Sequence, residues 1–216
     1  MPAELMMQWP RAPVILCVGG STRPDSSSEK ALRVAATAAS GAGAVVESIT
    51  GRDLILPIYD TETTDRTVQA RRLLDAVEGC DGLIIASPGY HGTVSGMLKN
   101  ALDYLEDLRD RPRPYLEGLP VGCIAVAHGW QATVSTLNTL RTTVHALRGW
   151  PSSLGAAVNA ASPIFAADGS CVDKAVDLQL ETLGRQVVEF ANMRLAQAAT
   201  SNRGNYYPIP VLADPY

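Results

Sequence analysis

The feature that most constrains the fold of this chain is a regular alternation of short apolar runs with longer amphipathic segments. Residues 14–18 are continuously apolar, rich in β-branched side chains, and stop at Gly19-Gly20, which predicts a strand buried on both faces. The serines at 26–28 then supply N-caps for a helix whose alanines and leucines recur at helical spacing until Gly41. The first predicted unit of the chain is therefore a strand followed by a loop and a helix.

The same unit recurs along the chain. Further strands are predicted at residues 44–49, 82–86, 121–127 and, more weakly, 153–158, and further helices at 67–78, 95–105, 133–147 and 175–195. Strands that alternate with helices require right-handed crossovers and a parallel sheet covered on both faces. We therefore predict one α/β domain over residues 14–200, with an N-terminal leader at 1–13 and a C-terminal tail at 201–216.

Composition and charge exclude several classes of function. The chain is 46% hydrophobic and 19% charged, which is typical of a globular protein and not of a disordered one. A net charge of −4 and the absence of a basic cluster disfavour nucleic-acid binding. We see no apolar stretch long enough for a signal peptide or a membrane span, so we expect no membrane partner and a cytoplasmic location.

The four cysteines, Cys17, Cys80, Cys123 and Cys171, are far apart and form no Cys-x-x-Cys motif. No paired Cys/His spacing of the kind found in zinc sites is present. We therefore expect reduced structural thiols and no metal site.

The loop after the first strand is the first candidate binding segment. It reads Gly-Gly-Ser-Thr-Arg-Pro-Asp-Ser-Ser-Ser from position 19 to 28. Its glycines permit a tight turn, its hydroxyls and Arg23 offer donors and charge, and the following helix N-terminus favours an anion. The loop matches neither the dinucleotide-binding glycine fingerprint nor the Gly-Lys-Ser/Thr loop of nucleoside triphosphatases. We interpret it as a phosphate-binding loop of another kind.

The segment after the third strand gives a more specific signal. Residues 87–103 match the pattern Ser-Pro-x-Tyr-x-Gly-x-x-x-Gly-x-Leu-Lys-Asn-x-Leu-Asp, and the first loop contains Gly-Ser-x-Arg followed by further serines. In these two segments the chain resembles the NAD(P)H-dependent FMN reductase family. The resemblance implies a flavodoxin-like doubly wound five-stranded parallel sheet of order 2-1-3-4-5, with helices on both faces.

The resemblance also implies a set of FMN-binding residues. The phosphate would be held by Ser21, Arg23, Ser26 and Ser28, the isoalloxazine would be lined by Pro88, Gly89, Tyr90, His91 and Gly92, and a third loop would add His128 and Gly129. A loop of proline and glycine suits a flavin because it exposes backbone N–H and C=O groups to the polar edge of the ring.

Several positions in these loops differ from the family pattern or have two possible roles. The family commonly has an acidic residue where this chain has Gly89, asparagine where it has His91, and a glycine pair in the third loop. Trp130 would either stack near the flavin and nicotinamide or fix the start of the next helix. His128 would either meet the polar edge of the flavin or make a structural hydrogen bond.

The helix predicted at 95–105 carries a broad apolar stripe. Tyr104 and Leu108 extend this stripe beyond what one face of a sheet needs, and in the family this helix helps build a dimer. We therefore expect a homo-oligomer, dimer or tetramer, that associates through residues 95–108.

The implied activity is transfer of hydride from NADH or NADPH to FMN. Such a transfer depends on the proximity of two stacked rings, so we name no catalytic acid or base. The reduced FMN would serve a partner such as a flavin-dependent oxygenase. The alternatives are an FMN-bound enzyme that reduces quinones, azo dyes or metal oxyanions, and a flavodoxin-like electron carrier without turnover.

Overall fold

The computed structural model describes residues 11–201, so residues 1–10 of the leader and 202–216 of the tail lie outside the described part. The strands are β1 Val14–Gly19, β2 Val45–Ile49, β3 Gly82–Tyr90, β4 Thr93–Val94, β5 Pro120–Ala127, β6 Trp150–Pro151 and β7 Ala156–Asn159. The helices are α1 Ser27–Gly41, α2 Val68–Gly79, α3 Gly96–Asp103, α4 Trp130–Ala146 and α5 Lys174–Ser201, with two 3-10 helices at Gly51–Leu54 and Tyr104–Leu108.

The strands form one twisted sheet of order β2-β1-β3-β5-β6. β1 pairs in parallel with β2 and β3, and β3 pairs in parallel with β5. The short β4 folds back antiparallel on β3, and β7 pairs in parallel with the second half of β5. The predicted doubly wound parallel order is confirmed.

The bounds of the predicted fifth strand, 153–158, are wrong. Two short strands, β6 and β7, replace it and pair with successive halves of β5. Ser152 N–H still donates to Val121 O of β5 at 2.9 Å, and the chain leaves the sheet after it. Outside the sheet, the Ser152 hydroxyl donates to Leu154 O at 2.8 Å, and the Leu154 N–H donates to Gln186 Oε1 at 3.3 Å, so side chains satisfy the backbone groups of Leu154.

Hydrophobic cores lie on both faces of the sheet. Successive residues of a strand point to opposite faces, so Ile15 and Cys17 pack with α1 and α5, whereas Leu16 and Val18 pack with α2, α3 and α4. The helices therefore cover both faces, as predicted, and the carboxyl ends of the parallel strands are left open at one edge.

The apolar stripe of residues 95–108 is used inside the monomer. Tyr104 and Leu108 belong to the 3-10 helix that follows α3 and are 3% and 1% exposed. The Tyr104 ring packs edge-on against Tyr59 at 5.2 Å between centroids, and the Arg66 guanidinium lies 5.3 Å from it. The side chains of Tyr104 and Leu108 are therefore buried within the monomer, and Tyr59 and Arg66 pack on the Tyr104 ring. Association of two copies through residues 95–108 stays a prediction.

The segment 55–66 is held on α3 and the 3-10 helix by polar contacts. Arg66 donates two hydrogen bonds to the Asp107 carboxylate, at 2.7 and 2.9 Å, and these bonds lower the pKa of Asp107. Asn100 accepts from the Tyr59 N–H at 2.8 Å and donates to Pro57 O at 2.8 Å. The asparagine of the Leu-Lys-Asn motif thus acts here as a structural connector.

The crossing of α1 and α5 gives a test of this packing. A Cβ added at Gly184 of α5 would overlap the carbonyl oxygen of Ala35 in α1. We expect Gly184→Ala to lower the free energy of unfolding by about 1–3 kcal/mol, because neither helix can move without disturbing the core. Urea unfolding measures this loss. The control is Gly41→Ala at the end of α1, where no atom lies within 4 Å of the added Cβ; equal stability of the two variants would contradict the close crossing.

Candidate functional site

Three loops meet at the open edge of the sheet because the strands before them are neighbours. The β1–β3 register places Gly19 opposite Ala86, and the β3–β5 register places Pro88 opposite Val126. We call residues 20–26 the serine loop, residues 87–95 the hairpin loop and residues 128–129 the third loop. In open parallel sheets, ligands bind at such carboxyl ends, beside the point where the strand order reverses.

A cavity of about 160 Å³ lies between these loops. It is lined by Ser21, Arg23, Ser26, Ser27, Ser28, Pro88, Gly89, Tyr90, Val126, Ala127, His128 and Ala160. Pockets that bury a whole ligand usually measure about 300–1,000 Å³. The cavity formed by the described residues is therefore smaller than one that buries a whole ligand.

One end of the cavity is a set of donors at the start of α1. Ser26 is the N-cap of this helix, and its side chain accepts from Glu29 N at 3.3 Å while its carbonyl accepts from Lys30 N at 2.9 Å. Within residues 11–201, the N–H groups of Ser27 and Ser28 are then left without a partner at the positive end of the helix dipole. Free amides at a helix N-terminus bind anions.

Arg23 adds a positive charge at the same end. Its backbone N–H donates to Ser21 Oγ at 3.2 Å, which fixes the turn, and its guanidinium makes no hydrogen bond or ion pair with any other described residue. The neighbouring Arg33, in contrast, donates to the Asp25 carboxylate at 2.9 Å. Of these two arginines, Arg23 is the one available to an anionic ligand.

The serine loop and the hairpin loop are joined by Ser95. Its hydroxyl donates to Gly20 O at 2.7 Å and accepts from Leu98 N at 3.2 Å as the N-cap of α3, and its N–H donates to Ser87 Oγ at 3.0 Å. A Cβ on Gly20 would lie 2.8 Å from Ser95 Oγ and 2.9 Å from Leu98 Cβ. Glycine is therefore required at position 20 so that the two loops can approach each other.

The hairpin loop continues β3 beyond its predicted end at residue 86. β3 extends to Tyr90 and pairs with β4 across a tight turn at His91 and Gly92, whose φ angles are +52° and +85°. His91 and Gly92 make this turn and do not line the cavity, whereas Pro88, Gly89 and Tyr90 do. The sequence prediction did not separate these two groups.

Gly89 has no room for a side chain. A Cβ there would lie 2.7 Å from Thr136 Oγ1 and 2.8 Å from Ala127 Cβ. The hairpin loop packs so closely on α4 and β5 that an acidic residue at this position would force the backbone outward. The cavity wall at position 89 therefore consists of backbone, in place of the acidic side chain that is common in similar proteins.

Hydroxyl groups on α4 hold the hairpin and third loops. Ser135 donates to Gly92 O at 2.6 Å, Thr136 to Thr93 O at 3.3 Å, and Thr133 to Gly129 O at 2.8 Å. These loops are thereby fixed through their carbonyl oxygens, before any ligand binds.

In the third loop, His128 lines the cavity but Gly129 does not. Gly129 has a φ of +102° and precedes α4, and its N–H donates to Asn159 Oδ1 at 2.8 Å. Trp130 is 63% exposed and lies on a separate open groove along α4 with Val134 and Asn138. It therefore does not fix the helix start by burial, and it does not line the cavity.

Sequence reasoning missed several lining residues. Val126, Ala127 and Ala160 are small or apolar residues at the ends of β5 and β7. Their residue types do not distinguish them from residues of the hydrophobic core. Ser27 belongs to the serine run of the first loop, but the sequence prediction does not include it among the phosphate-binding residues. Its contribution is the backbone N–H, which only the capping geometry of Ser26 reveals.

The described residues also show how the possible metal ligands and two of the thiols are placed. Within residues 11–201, no group of three or more His, Cys, Asp or Glu side chains is placed to hold a metal ion. Burial raises the pKa of the Cys17 and Cys123 thiols to about 12, so both stay protonated near neutral pH. The same described range contains no helix with the length and hydrophobicity that crossing a bilayer requires.

Comparison with known proteins agrees with the geometry. A sequence model of the NADPH-dependent FMN reductase family matches residues 13–162. An NADPH azoreductase from Bacillus sp. (strain OY1-2) is 35% identical over 86 residues, which cover 39% of this chain and 45% of that protein. A quinone reductase from Escherichia coli (strain K12) is 38% identical over 71 residues, 31% of this chain and 35% of that protein. The matched region thus spans less than half the length of either curated relative.

Solved structures share the fold. FerB, a flavoenzyme NAD(P)H:(acceptor) oxidoreductase from Paracoccus denitrificans, superposes with a TM-score of 0.68 at 22% identity, covering 84% of this chain and 98% of that chain. At this level of identity the likeness shows the architecture alone.

Ser95 gives a test of the connection between the loops. We expect Ser95→Ala to lower the free energy of unfolding by about 2 kcal/mol, because it removes a helix cap and leaves the buried Gly20 carbonyl without its donor. Urea unfolding would measure the loss, and faster amide hydrogen exchange at Leu98 would locate it. Ser40→Ala, on the exposed end of α1, is the matched control. A Ser95→Ala protein as stable as this control would show that the hydroxyl does not join the loops.

Proposed function

Because this chain belongs to the NADPH-dependent FMN reductase family, we propose that it binds FMN in the cavity between the serine, hairpin and third loops and transfers hydride to it from NAD(P)H. One observation carries this proposal: an arginine with no partner among residues 11–201 and two helix amides that are free within that range line the same cavity as the backbone of the hairpin loop. The arginine and the amides suit a phosphate, and the hairpin backbone suits a flat ring.

The phosphate would be bound by groups of three kinds. The Ser27 and Ser28 N–H groups would donate along the axis of α1, Arg23 would supply the charge, and the hydroxyls of Ser21, Ser26 and Ser28 would complete the set. All three of these hydroxyl-bearing residues are buried, so water competes little for them. The residues present therefore fit the phosphate of FMN.

The ring would lie against the hairpin loop. Pro88, Gly89 and Tyr90 offer an apolar and aromatic surface with backbone groups, and His128 lines the same cavity. His91, Gly92 and Gly129 would act indirectly, by fixing the turns that carry these residues. Bound FMN supplies the hydride-accepting chemistry, and the loops supply orientation, which contributes about 7–11 kcal/mol in well-ordered reactions.

The final electron acceptor is a second question, and the open side of the cavity favours one answer. Because the chain encloses only about 160 Å³, a face of the flavin would remain accessible to a second planar molecule. The names of two relatives, an azoreductase and a quinone reductase, indicate that those proteins reduce azo compounds and quinones, which are molecules of this kind. We therefore propose an aromatic acceptor as the second candidate, beside reduction of free FMN for a flavin-dependent oxygenase.

We also propose a homo-oligomer and a cytoplasmic location. Tyr90 on the hairpin loop and Trp130 and Val134 on α4 have exposed apolar side chains, which a second copy of the chain would bury. All four cysteines are free thiols, which suits a reducing compartment. The acidic net charge argues against nucleic acid as a partner.

The activity is tested on the purified protein. We expect a flavin spectrum on addition of FMN, and oxidation of NADPH or NADH that depends on FMN and is accelerated by menadione. Flavin that stays bound during dialysis, together with ping-pong kinetics toward menadione, would favour the enzyme that reduces an aromatic acceptor. FMN binding without any oxidation of NADPH or NADH would show an electron carrier and refute the enzyme.

The phosphate assignment is tested by a double substitution. Arg23→Ala with Ser21→Ala should weaken FMN binding about 100-fold, because a charge-assisted contact and a hydroxyl donor are lost together. The melting temperature of the flavin-free protein should fall only slightly, since Arg23 is exposed and the loss of the Ser21 hydroxyl removes a single hydrogen bond, from Arg23 N at 3.2 Å. Fluorescence titration gives the Kd. The control pairs Arg185→Ala with Ser40→Ala, both exposed and outside the cavity lining; equal FMN affinity in the two double variants would refute the phosphate role.

A further inference from the structure

Asn159 connects two loops that line the cavity, although its own side chain is not part of the lining. It ends β7, opposite Ala127 in the β5–β7 ladder. Its Oδ1 accepts from the Gly129 N–H at 2.8 Å and from the Ala161 N–H at 3.1 Å. One side-chain oxygen thus joins the third loop, which carries His128, to the loop after β7, which carries Ala160.

The Gly129 peptide is thereby fixed from both sides. Its N–H is bound by Asn159, and its carbonyl accepts from Thr133 N at 3.1 Å and from Thr133 Oγ1 at 2.8 Å. A φ of +102° at Gly129 gives the chain a backbone conformation in which few other residues are stable. The direction in which His128 leaves β5 therefore depends on these contacts.

The sheet itself does not supply this connection. Among residues 11–201, the last backbone bond between the two strands runs from Ala160 N to Ala127 O at 2.8 Å. Within residues 11–201, Asn159 Oδ1 is the acceptor for the Gly129 N–H of the third loop and the Ala161 N–H of the loop after β7. Without it, both N–H groups would have to find water.

We propose that Asn159 is a positioning residue for the flavin site, acting through Gly129 and His128. This inference rests on the proposed function, because it assigns Asn159 to the loop at the polar edge of the ring. Because its oxygen alone makes both contacts, an aspartate in its place would keep the connection and add a negative charge beside the cavity. Alanine would remove the connection.

The test compares Asn159→Ala, Asn159→Asp and the control Asn138→Ala, whose asparagine is exposed on α4 and outside the cavity lining. Amide hydrogen exchange in the flavin-free proteins should accelerate at Gly129 and Ala161 in Asn159→Ala and stay slow in the other two. The FMN Kd should rise about tenfold in Asn159→Ala and remain near that of the wild type in Asn138→Ala.

The aspartate variant separates positioning from general stability. It should keep slow exchange and bind FMN within about threefold of the wild type, while the reduction potential of its bound flavin falls, because a nearby carboxylate disfavours the anionic reduced ring. Unchanged exchange in Asn159→Ala, or an unchanged potential in Asn159→Asp, would overturn the inference. Failure of the wild type to bind FMN would overturn the proposed function, and the exchange measurement, which needs no flavin, distinguishes the two failures.

Discussion

The parallel pairing of β1 with β3, and of β3 with β5, is the constraint on which the site depends. It brings three loops to one edge of the sheet, and the Ser95 hydroxyl then joins two of them at 2.7 Å from Gly20 O. This approach is possible only because Gly20 has no side chain. The start of α1 and the hairpin loop therefore share one cavity, so that groups suited to a phosphate and groups suited to a ring face the same ligand.

Many hydroxyls at this edge hold loops in place and are not directed at a ligand. Ser87 and Ser95 connect the hairpin loop to its neighbours, and Thr133, Ser135 and Thr136 bind carbonyl oxygens of the loops beside α4. These contacts stay within the protein, so the site is ordered before binding and loses less entropy when a ligand arrives. The ligand then meets mostly backbone, a few serines and one arginine, which agrees with a protein that orients a cofactor and leaves the chemistry to it.

The sequence indicated both main loops, but it did not show what each residue does in them. His91 and Gly92 belong to the same motif as Gly89 and Tyr90, yet they form the turn, because a positive φ is needed where β3 reverses into β4. Tyr104 and Leu108 extend an apolar stripe, but the sequence does not show what covers that stripe. The folded structure shows that both side chains are buried within the monomer, with Tyr59 packed on Tyr104. Asn159 carries no local signal, since its partners belong to segments that the chain joins only in space.

By itself the sequence determined the layered α/β architecture and the two loops that carry the candidate site, whereas the strand order was implied only by the family resemblance. It did so because hydrophobic periodicity, capping serines and glycine turns are local properties that each segment expresses alone. The tertiary structure decided which groups of those loops face the cavity, why Gly20 and Gly89 cannot carry side chains, and how Asn159 holds the third loop. Those properties depend on distances of a few ångströms between segments far apart in the chain, and no local pattern encodes such distances.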